Sequence, residues 1–239
     1  MAIQQTLADL RQRFYDRFDE GQSGYIDTAQ ANRLLNEGGR WLHNWIVSSS
    51  EQYIVRMYPL TVVTNQQDYP LPPDFFKDIK VFGVYVAQAG NIPYYFPLRR
   101  LMLNEYKGGP STSFRYPDYL APFGYMILGN ILRISPIPIN VNYNIEMWYA
   151  PHYQEMLNDG DVPDASVAPG WDEFIINHAV IGAKLKEESS VQDIMARQSE
   201  IKKMIEEQII NRDLGMPQRV TDLEYQNGGP NWFFGGSLW

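Results

Sequence analysis

Three histidines are the side chains of this sequence best suited to move protons or bind a metal ion near neutral pH: His43, His152 and His178. No two of them stand at the His-x-His or His-x-x-x-His spacing that brings two imidazoles to one metal ion. Cysteine is absent, which excludes disulfides, thiolate zinc sites and cysteine nucleophiles. We therefore interpret the histidines as packed or surface side chains, and we expect no metal and no cofactor.

Two acidic clusters offer the paired carboxylates that hydrolysis of a glycosidic bond uses. One is formed by Asp159, Asp161 and Asp164, and the other by Asp172 and Glu173. The same residues also fit a polar loop and the first turn of a helix, whose dipole stabilises negative charge. The sequence has no Gly-x-Ser-x-Gly elbow and no glycine-rich phosphate loop in a strand–helix context, so we predict that the protein is not an enzyme.

The stretch Asp19–Asp27 partly resembles an EF-hand calcium loop. Residues that fit loop positions 1, 5, 6, 8 and 9 are Asp19, Ser23, Gly24, Ile26 and Asp27. Gly21 at position 3 has no side-chain oxygen, and Gln30 at position 12 cannot chelate as a bidentate glutamate does. The stretch therefore predicts a turn between two helices, with Asp27 or Thr28 capping the second helix.

The C-terminal segment (residues 214–239) combines five glycines with five aromatic residues. Ordering a glycine-rich backbone has a high entropic cost, whereas aromatic side chains favour burial. This combination is typical of a segment that docks on a partner through aromatic anchors. We predict that the docking residues are Tyr225, Trp232, Phe233, Phe234, Leu238 and Trp239. The alternative, that the segment folds back over the core of its own chain, stays open.

Apolar residues recur with helical periodicity in both the N-terminal and the C-terminal part of the sequence. The helices that this pattern predicts must position the segments described above. The N-terminal helix carries the apolar stripe Ile3, Leu7, Leu10, Phe14 and Phe18. The next helix carries Leu34, Leu35, Trp41, Leu42, Trp45 and Ile46. On the C-terminal side, one helix is predicted over residues 171–185 and a second from Val191 to about Asn211. The small residues Ala179, Gly182 and Ala183 allow another helix to approach closely.

The central region, residues 52–150, favours β-structure. It holds 11 of the 16 prolines and 12 of the 16 tyrosines, a composition that opposes helices and suits half-buried pleated surfaces. The clearest signal is the pair of apolar runs Tyr125–Leu128 and Ile131–Ile134, because the Gly129-Asn130 link between them predicts a tight hairpin. Further strands are predicted over residues 60–64, 79–86 and 141–149.

We therefore predict an α+β fold in which a helical bundle of two N-terminal and two C-terminal helices carries a central antiparallel insertion. The insertion has the strand lengths of a small sandwich or open barrel, and an extended C-terminal segment follows the last helix. The expected division is residues 1–51 and 151–213 for the bundle, 52–150 for the insertion and 214–239 for the segment.

The charge and hydropathy of the chain exclude some classes of protein to which it could belong. The 239 residues are 44% hydrophobic and 20% charged, enough for a core, and the net charge of −8 disfavours a dedicated nucleic-acid binder. The central region sums to +2, so the flanks carry −10. No apolar run is long enough for a membrane helix, and the first residues lack the apolar core of a signal peptide. We expect a soluble protein made in a cytoplasm, with no membrane partner.

Five stretches, in their order along the chain, resemble the head-to-tail adaptor (head-completion or connector) proteins of tailed bacteriophages, of the podovirus-like kind. They are Asp27–Gly38, Gln67–Phe76, Leu132–Pro138, Met147–Pro151, and Val162–Asp164 with Gly170–Ala179. The most specific is Tyr-Pro-Leu-Pro-Pro-Asp-Phe at residues 69–75. The order of all five, across about residues 25–210, indicates the family more strongly than any single stretch.

This resemblance implies a structural virion protein that forms a ring of twelve copies below the portal protein. Such a ring extends the DNA channel, passes the genome without sequence-specific binding, and offers a platform for nozzle or other tail proteins. The resemblance also implies that the C-terminal segment reaches up to grip the portal, a role that would fall to Trp232–Trp239. The ring would be assembled in the host cytoplasm and lie at the head–tail interface.

Two other function classes remain open. A tyrosine-rich β-region could be a carbohydrate- or receptor-binding module of a virion or tail, because aromatic faces suit sugars. A clustered, exposed platform of tyrosines would favour this class, whereas tyrosines dispersed through the sheets would favour a scaffold. A hydrolase that uses the Asp159–Asp164 region would require that Asp161→Asn abolish turnover.

Overall fold

The structure is a computed structural model of the chain. It describes residues 5–18, 26–50, 53–85, 94–103, 124–138, 143–164 and 170–213. Its helices are α1 (Leu7–Phe18), α2 (Thr28–Ser49), α3 (Asp172–Lys186) and α4 (Gln192–Asp213). Its strands are β1 (Arg56–Thr61), β2 (Asp68–Pro70), β3 (Phe75–Tyr85), β4 (Tyr94–Pro97), β5 (Arg99–Arg100), β6 (Gly124–Leu128), β7 (Ile131–Ser135) and β8 (Tyr143–Pro151). Helices on both sides of a β-rich middle confirm the predicted α+β class.

Both N-terminal helices begin at side-chain caps. Thr6 and Asp9 form a capping box at α1, where the Thr6 N–H donates to Asp9 Oδ2 (3.0 Å) and the Asp9 N–H donates to Thr6 Oγ1 (3.3 Å). At α2 the Asp27 carboxylate accepts from the Gln30 N–H at 2.7 Å, which confirms the predicted cap. Residues 19–25, most of the stretch that resembles a calcium loop, lie outside the described residues.

Helices α1 to α4 share one apolar core. The predicted stripe of α1 faces inward, and Leu7, Leu10 and Phe14 are fully buried. Helix α4 contributes Ile205 and Ile209. Helices α2 and α3 pack closely at glycines, since a Cβ built on Gly182 would lie 3.0 Å from Leu34 Cδ2. This close approach is the one that the small residues of α3 predicted.

The strands form two sheets, and residues of both meet in a second apolar core. One sheet has the order β1-β8-β3-β4 and the other β2-β7-β6-β5. Val81 and Ile145 enter the core from the first sheet, and Leu132 and Ile134 enter it from the second. The hairpin of β6 and β7 is confirmed, with Gly129 at a φ of 59°. The region is therefore a sandwich, not an open barrel.

Some strand boundaries differ from those predicted. The strand expected at residues 60–64 is β1, which starts earlier because it pairs with β8 from Arg56↔Tyr149 to Thr61↔Asn144. The short β5 pairs with β6 in parallel, so the region is not wholly antiparallel as predicted. The helical core and the sandwich core are separate clusters. The division of the chain after residues 51, 150 and 213 stays a prediction.

Candidate interaction surface

The residues predicted to dock on a partner all lie outside the described residues: Tyr225, Trp232, Phe233, Phe234, Leu238 and Trp239. The structure follows the chain to Asp213, where α4 ends. The docking role of the C-terminal segment therefore stays a prediction. The described helices and sheets, however, contain surfaces that could receive a partner.

A groove opens between α2, α3 and α4. Trp41 of α2 forms one wall and is 43% exposed. Its ring stacks on that of Phe174 from α3, with centroids 5.2 Å apart and planes inclined by 20°. The groove has a volume of about 370 Å³, and its other lining residues are His178, Ile181, Met195, Gln198, Ser199 and Lys202. A largely apolar groove that is open to solvent suits an apolar or aromatic group.

The Lys202 side chain of α4 lies over the aromatic wall of this groove. Its Nζ is 5.5 Å from the centroid of the Trp41 ring and 5.2 Å from that of Trp45. The two indole rings lie one helical turn apart on α2, with centroids separated by 6.0 Å. An ammonium group at such distances from an aromatic face is held by a cation–π interaction. The same cation could contact the ring of a third aromatic side chain placed in the groove.

The exposure of Trp41 is not predicted by the sequence pattern, because the spacing of this residue places it in the apolar stripe of α2. Leu42, one residue further on, is fully buried. Successive residues of an α-helix are rotated by about 100°, so Trp41 lies at the edge of the stripe that Leu42 centres. The position of Trp41 at this edge was the sequence signal for its exposure. Only the packing of α4 in the structure shows which edge of the stripe stays exposed to solvent.

The carboxylates of Asp172 and Glu173 connect three helices. Arg13 of α1 places Nη1 2.5 Å from Asp172 Oδ2 and also pairs with Glu173. Arg17 of α1 places Nη2 2.8 Å from Glu173 Oε2, and Arg197 of α4 lies 3.7 Å from the same oxygen. Two carboxylates neutralised by arginines of neighbouring helices serve packing, which agrees with the first-turn interpretation of these residues.

The acidic cluster that begins at Asp159 stabilises the loop that precedes α3. Asp159 Oδ1 accepts from Arg11 Nη1 at 2.9 Å, and Asp161 Oδ2 accepts from the backbone N–H groups of Leu157 and Asn158, at 2.8 Å each. The Arg11 hydrogen bond lowers the pKa of Asp159, and the two backbone N–H groups lower the pKa of Asp161. Both carboxyls are therefore ionised at neutral pH, which does not suit a general acid.

The histidines are packing residues, as interpreted from the sequence. His43 is fully buried, and neither ring nitrogen has a hydrogen-bond partner in the part of the chain that the structure describes. Burial lowers the pKa of His43, and it also lowers the pKa of His178 beside the groove. The ring of His152 packs against Phe76, with centroids 5.1 Å apart. Among the described residues, no group of three His, Asp or Glu side chains could hold a metal ion.

The tyrosines that the structure describes in the sandwich are dispersed and mainly structural. Tyr125 is buried and donates to Asp78 Oδ2 at 2.7 Å, while Tyr149 is buried and donates to Asp74 Oδ1 at 2.9 Å. Burial and the hydrogen bond to Asp74 raise the pKa of Tyr149 to about 12. On the described strands, the exposed tyrosines are Tyr94 and Tyr95. Hydroxyls bound to carboxylates inside the fold favour a scaffold over a sugar-binding platform.

The comparison with protein families finds a match over most of the chain. The family model described as SU10 adaptor protein matches residues 5–230. This range contains every helix and strand described above and most of the C-terminal segment. No curated protein matches the chain. Within the described part of the chain, no helix has the length and apolar character needed to cross a membrane.

Proposed function

The chain belongs to the SU10 adaptor protein family, and from this premise we propose that it forms the ring that joins portal to tail in a podovirus-like phage. Its family is one of structural phage adaptors, so the chain is a structural component of the virion and not a member of an enzyme family. The family match over residues 5–230 is the observation that carries the proposal. The proposed ring has twelve copies, is assembled in the host cytoplasm, extends the DNA channel and presents a platform to nozzle or other tail proteins.

The charge of the chain supports a place around a DNA channel. A net charge of −8 per copy, repeated around a ring, produces a negative potential that repels passing DNA. The central region is slightly basic, whereas the two flanks hold the negative charge. We therefore propose that the sandwich faces protein partners and that acidic parts of the flanks face the channel. A cationic channel lining in a structure of the assembled ring would refute this orientation.

Exposed apolar side chains on the first sheet provide contact surface for such partners. Met57 of β1 and Trp148 of β8 are directly opposite in the strand register and are 47% and 39% exposed. An adjacent apolar pair on one face of a sheet is a natural contact for a neighbouring subunit. This pair supports a protein that works in an assembly.

The C-terminal segment is proposed as the portal-binding element. Its aromatic residues, above all Trp232, Phe233, Phe234 and Trp239, would insert as anchors into the portal ring. The test uses light scattering on mixtures of purified portal rings with the full-length chain or with a chain truncated after Asp213. A third protein replaces those four aromatics with alanine, and its matched control replaces the polar Asn227 and Asn231 of the same segment with alanine.

We expect the full-length chain and the asparagine variant to join the portal in a fixed stoichiometry, and the other two proteins to remain free. If the truncated chain also joins, the adaptor function stands but portal binding lies elsewhere in the chain. If no form joins a portal that is competent for assembly, the proposed ring function is wrong.

A further inference from the structure

The Trp41 groove is an apolar surface that remains open in the described part of the chain. Trp41 and Met195 line it and are 43% and 49% exposed. Removing apolar surface from water is favourable in proportion to the area buried, so an apolar occupant would stabilise the subunit. The occupant must supply apolar side chains and suit a groove whose wall is already overlaid by the Lys202 ammonium group.

One flank of α4 forms a continuous path from the end of the helix to this groove. Ile210, Glu206, Lys202 and Ser199 recur at intervals of three or four residues, which places them on one side of the helix. Ile210 at one end of this path is 59% exposed, and Ser199 at the other end lines the groove. A chain that reverses direction after Asp213 and runs back along this flank would therefore arrive at Trp41.

The C-terminal segment is long enough to make this return. Trp232 follows Asp213 by 19 residues, which can span up to about 60 Å when extended. The return along α4 from Asp213 to Met195 covers about 27 Å, at 1.5 Å per helical residue. A tethered segment has an effective concentration of the order of millimolar at a site that its linker can reach. Another subunit at micromolar concentration competes poorly with it, so the argument from concentration favours the segment of the same chain as the occupant.

We propose that, in the unassembled subunit, the aromatic residues Trp232–Trp239 occupy the Trp41 groove of their own chain and leave it when the subunit docks on the portal. The groove covers aromatic side chains that would otherwise face water, and Lys202 contacts an incoming ring by a cation–π interaction. The exchange with the portal rests on the function proposed above, whereas occupancy of the groove does not depend on it.

Disulfide trapping tests the proposal, because the natural sequence contains no cysteine and two introduced thiols are the only ones present. Ser199→Cys places one thiol at the groove, and Ser237→Cys places the other among the aromatics of the segment. The matched control combines Ser237→Cys with Glu207→Cys, which lies eight residues closer to the segment but is turned by about 140° around α4 from Lys202. Both full-length proteins are oxidised with diamide over a range of protein concentrations.

We expect the 199–237 disulfide to form within single chains, at least tenfold faster than the 207–237 disulfide and at a rate independent of protein concentration. Lys202→Met in the 199–237 background should slow the reaction. Equal rates for the two cysteine pairs would overturn occupancy of the groove. Disulfide-linked dimers that form in proportion to concentration would overturn the assignment to the same chain.

Mixing with portal rings separates this inference from the proposed function. The oxidised 199–237 protein should fail to bind the portal, and reduction should restore binding. If the oxidised protein binds as well as the reduced one, release from the groove is not needed and that half of the proposal is wrong. If the 199–237 disulfide forms selectively but neither the oxidised nor the reduced protein binds the portal, the segment occupies the groove as proposed, and the proposed docking on the portal is wrong.

Discussion

Replacing Gly38 by alanine is expected to destabilise the helical bundle, although alanine is the better helix former. Gly38 lies within α2 and faces the backbone of α3, where a Cβ would stand 2.9 Å from Ile175 O and 3.3 Å from Ile175 Cα. Backbone atoms within a helix cannot move aside as the end of a side chain can. The two helices would therefore have to separate or tilt, which disturbs the packing of the core.

The expected magnitude follows from two opposing effects. Alanine is favoured over glycine in a helix interior by about 1 kcal/mol. Forcing an extra group into a close-packed interface costs about 1–3 kcal/mol. Because the atom nearest to the added Cβ at Gly38 belongs to the backbone, we expect the cost there to lie toward the upper end of this range. The net loss should be about 1–2 kcal/mol. Gly182→Ala is the matched control, because its Cβ would meet the Leu34 side-chain end at 3.0 Å. That substitution should range from neutral to a gain of about 1 kcal/mol.

Urea unfolding of the full-length chain, followed by the helical circular-dichroism signal, measures both variants. We expect a lower midpoint for Gly38→Ala and an unchanged or higher midpoint for Gly182→Ala, with the same dependence on urea as the natural sequence. If Gly38→Ala proves as stable as the natural chain, α2 and α3 do not meet at Gly38 as closely as described. The predicted clash of an alanine Cβ with the Ile175 backbone would then be absent.

Three further perturbations test the buried histidine, the ion-pair cluster and a helix cap. Burial lowers the pKa of His43 from 6.5. The packing of the neutral His43 ring therefore contributes fully to the free energy of unfolding above pH 6.5, and this contribution is lost as the pH falls from 6.5 toward the lowered pKa. His43→Leu should therefore make the urea midpoint less dependent on pH between about 7.5 and 5, with His178 supplying part of the remainder, and an unchanged pH dependence would contradict this. Glu173→Gln should cost about 1–2 kcal/mol because it deprives part-buried arginines of a charged partner. Glu155→Gln, whose partner Arg40 is half exposed, should cost less than about 0.5 kcal/mol, and equal losses in the two unfolding curves would refute the ranking. Asp27→Ala should cost about 1 kcal/mol in the same assay by removing the cap of α2, and no loss would show that the cap does not matter.

The features that sequence predicted well are those whose causes are local. The buried stripe of α1, the Asp27 cap and the Gly129 hairpin each depend on residues within a few positions of one another. The features that it missed join distant parts of the chain. The pairing of Arg56 with Tyr149 and the ion pair of Arg13 with Asp172 connect residues that no local pattern relates. The parallel β5–β6 pair is missed for the same reason.

Gly38 and Gly39 illustrate what a sequence pattern leaves undecided. The pair lacks the context of a phosphate loop, so the sequence excludes that role without supplying another. In the fold, Gly38 admits the α3 backbone, and Gly39 lies against the Tyr153 hydroxyl. Both roles depend on elements more than a hundred residues away. For the candidate site likewise, the aromatic docking residues Trp232–Trp239 stay a prediction from the sequence, whereas the packing of α4 beside Trp41 determines where the groove lies.

A groove that holds its own C-terminal segment would also set how the proposed ring assembles. The apparent affinity of one subunit for the portal would equal the intrinsic affinity multiplied by the fraction of segments that are free, so a segment that is free one-tenth of the time would bind about tenfold more weakly. That factor corresponds to about 1.4 kcal/mol per subunit. Subunits already joined in the proposed ring would present many segments at once, and their combined binding would offset this loss. A lone subunit would therefore bind the portal weakly while a forming ring binds it firmly, which favours complete rings over scattered single copies.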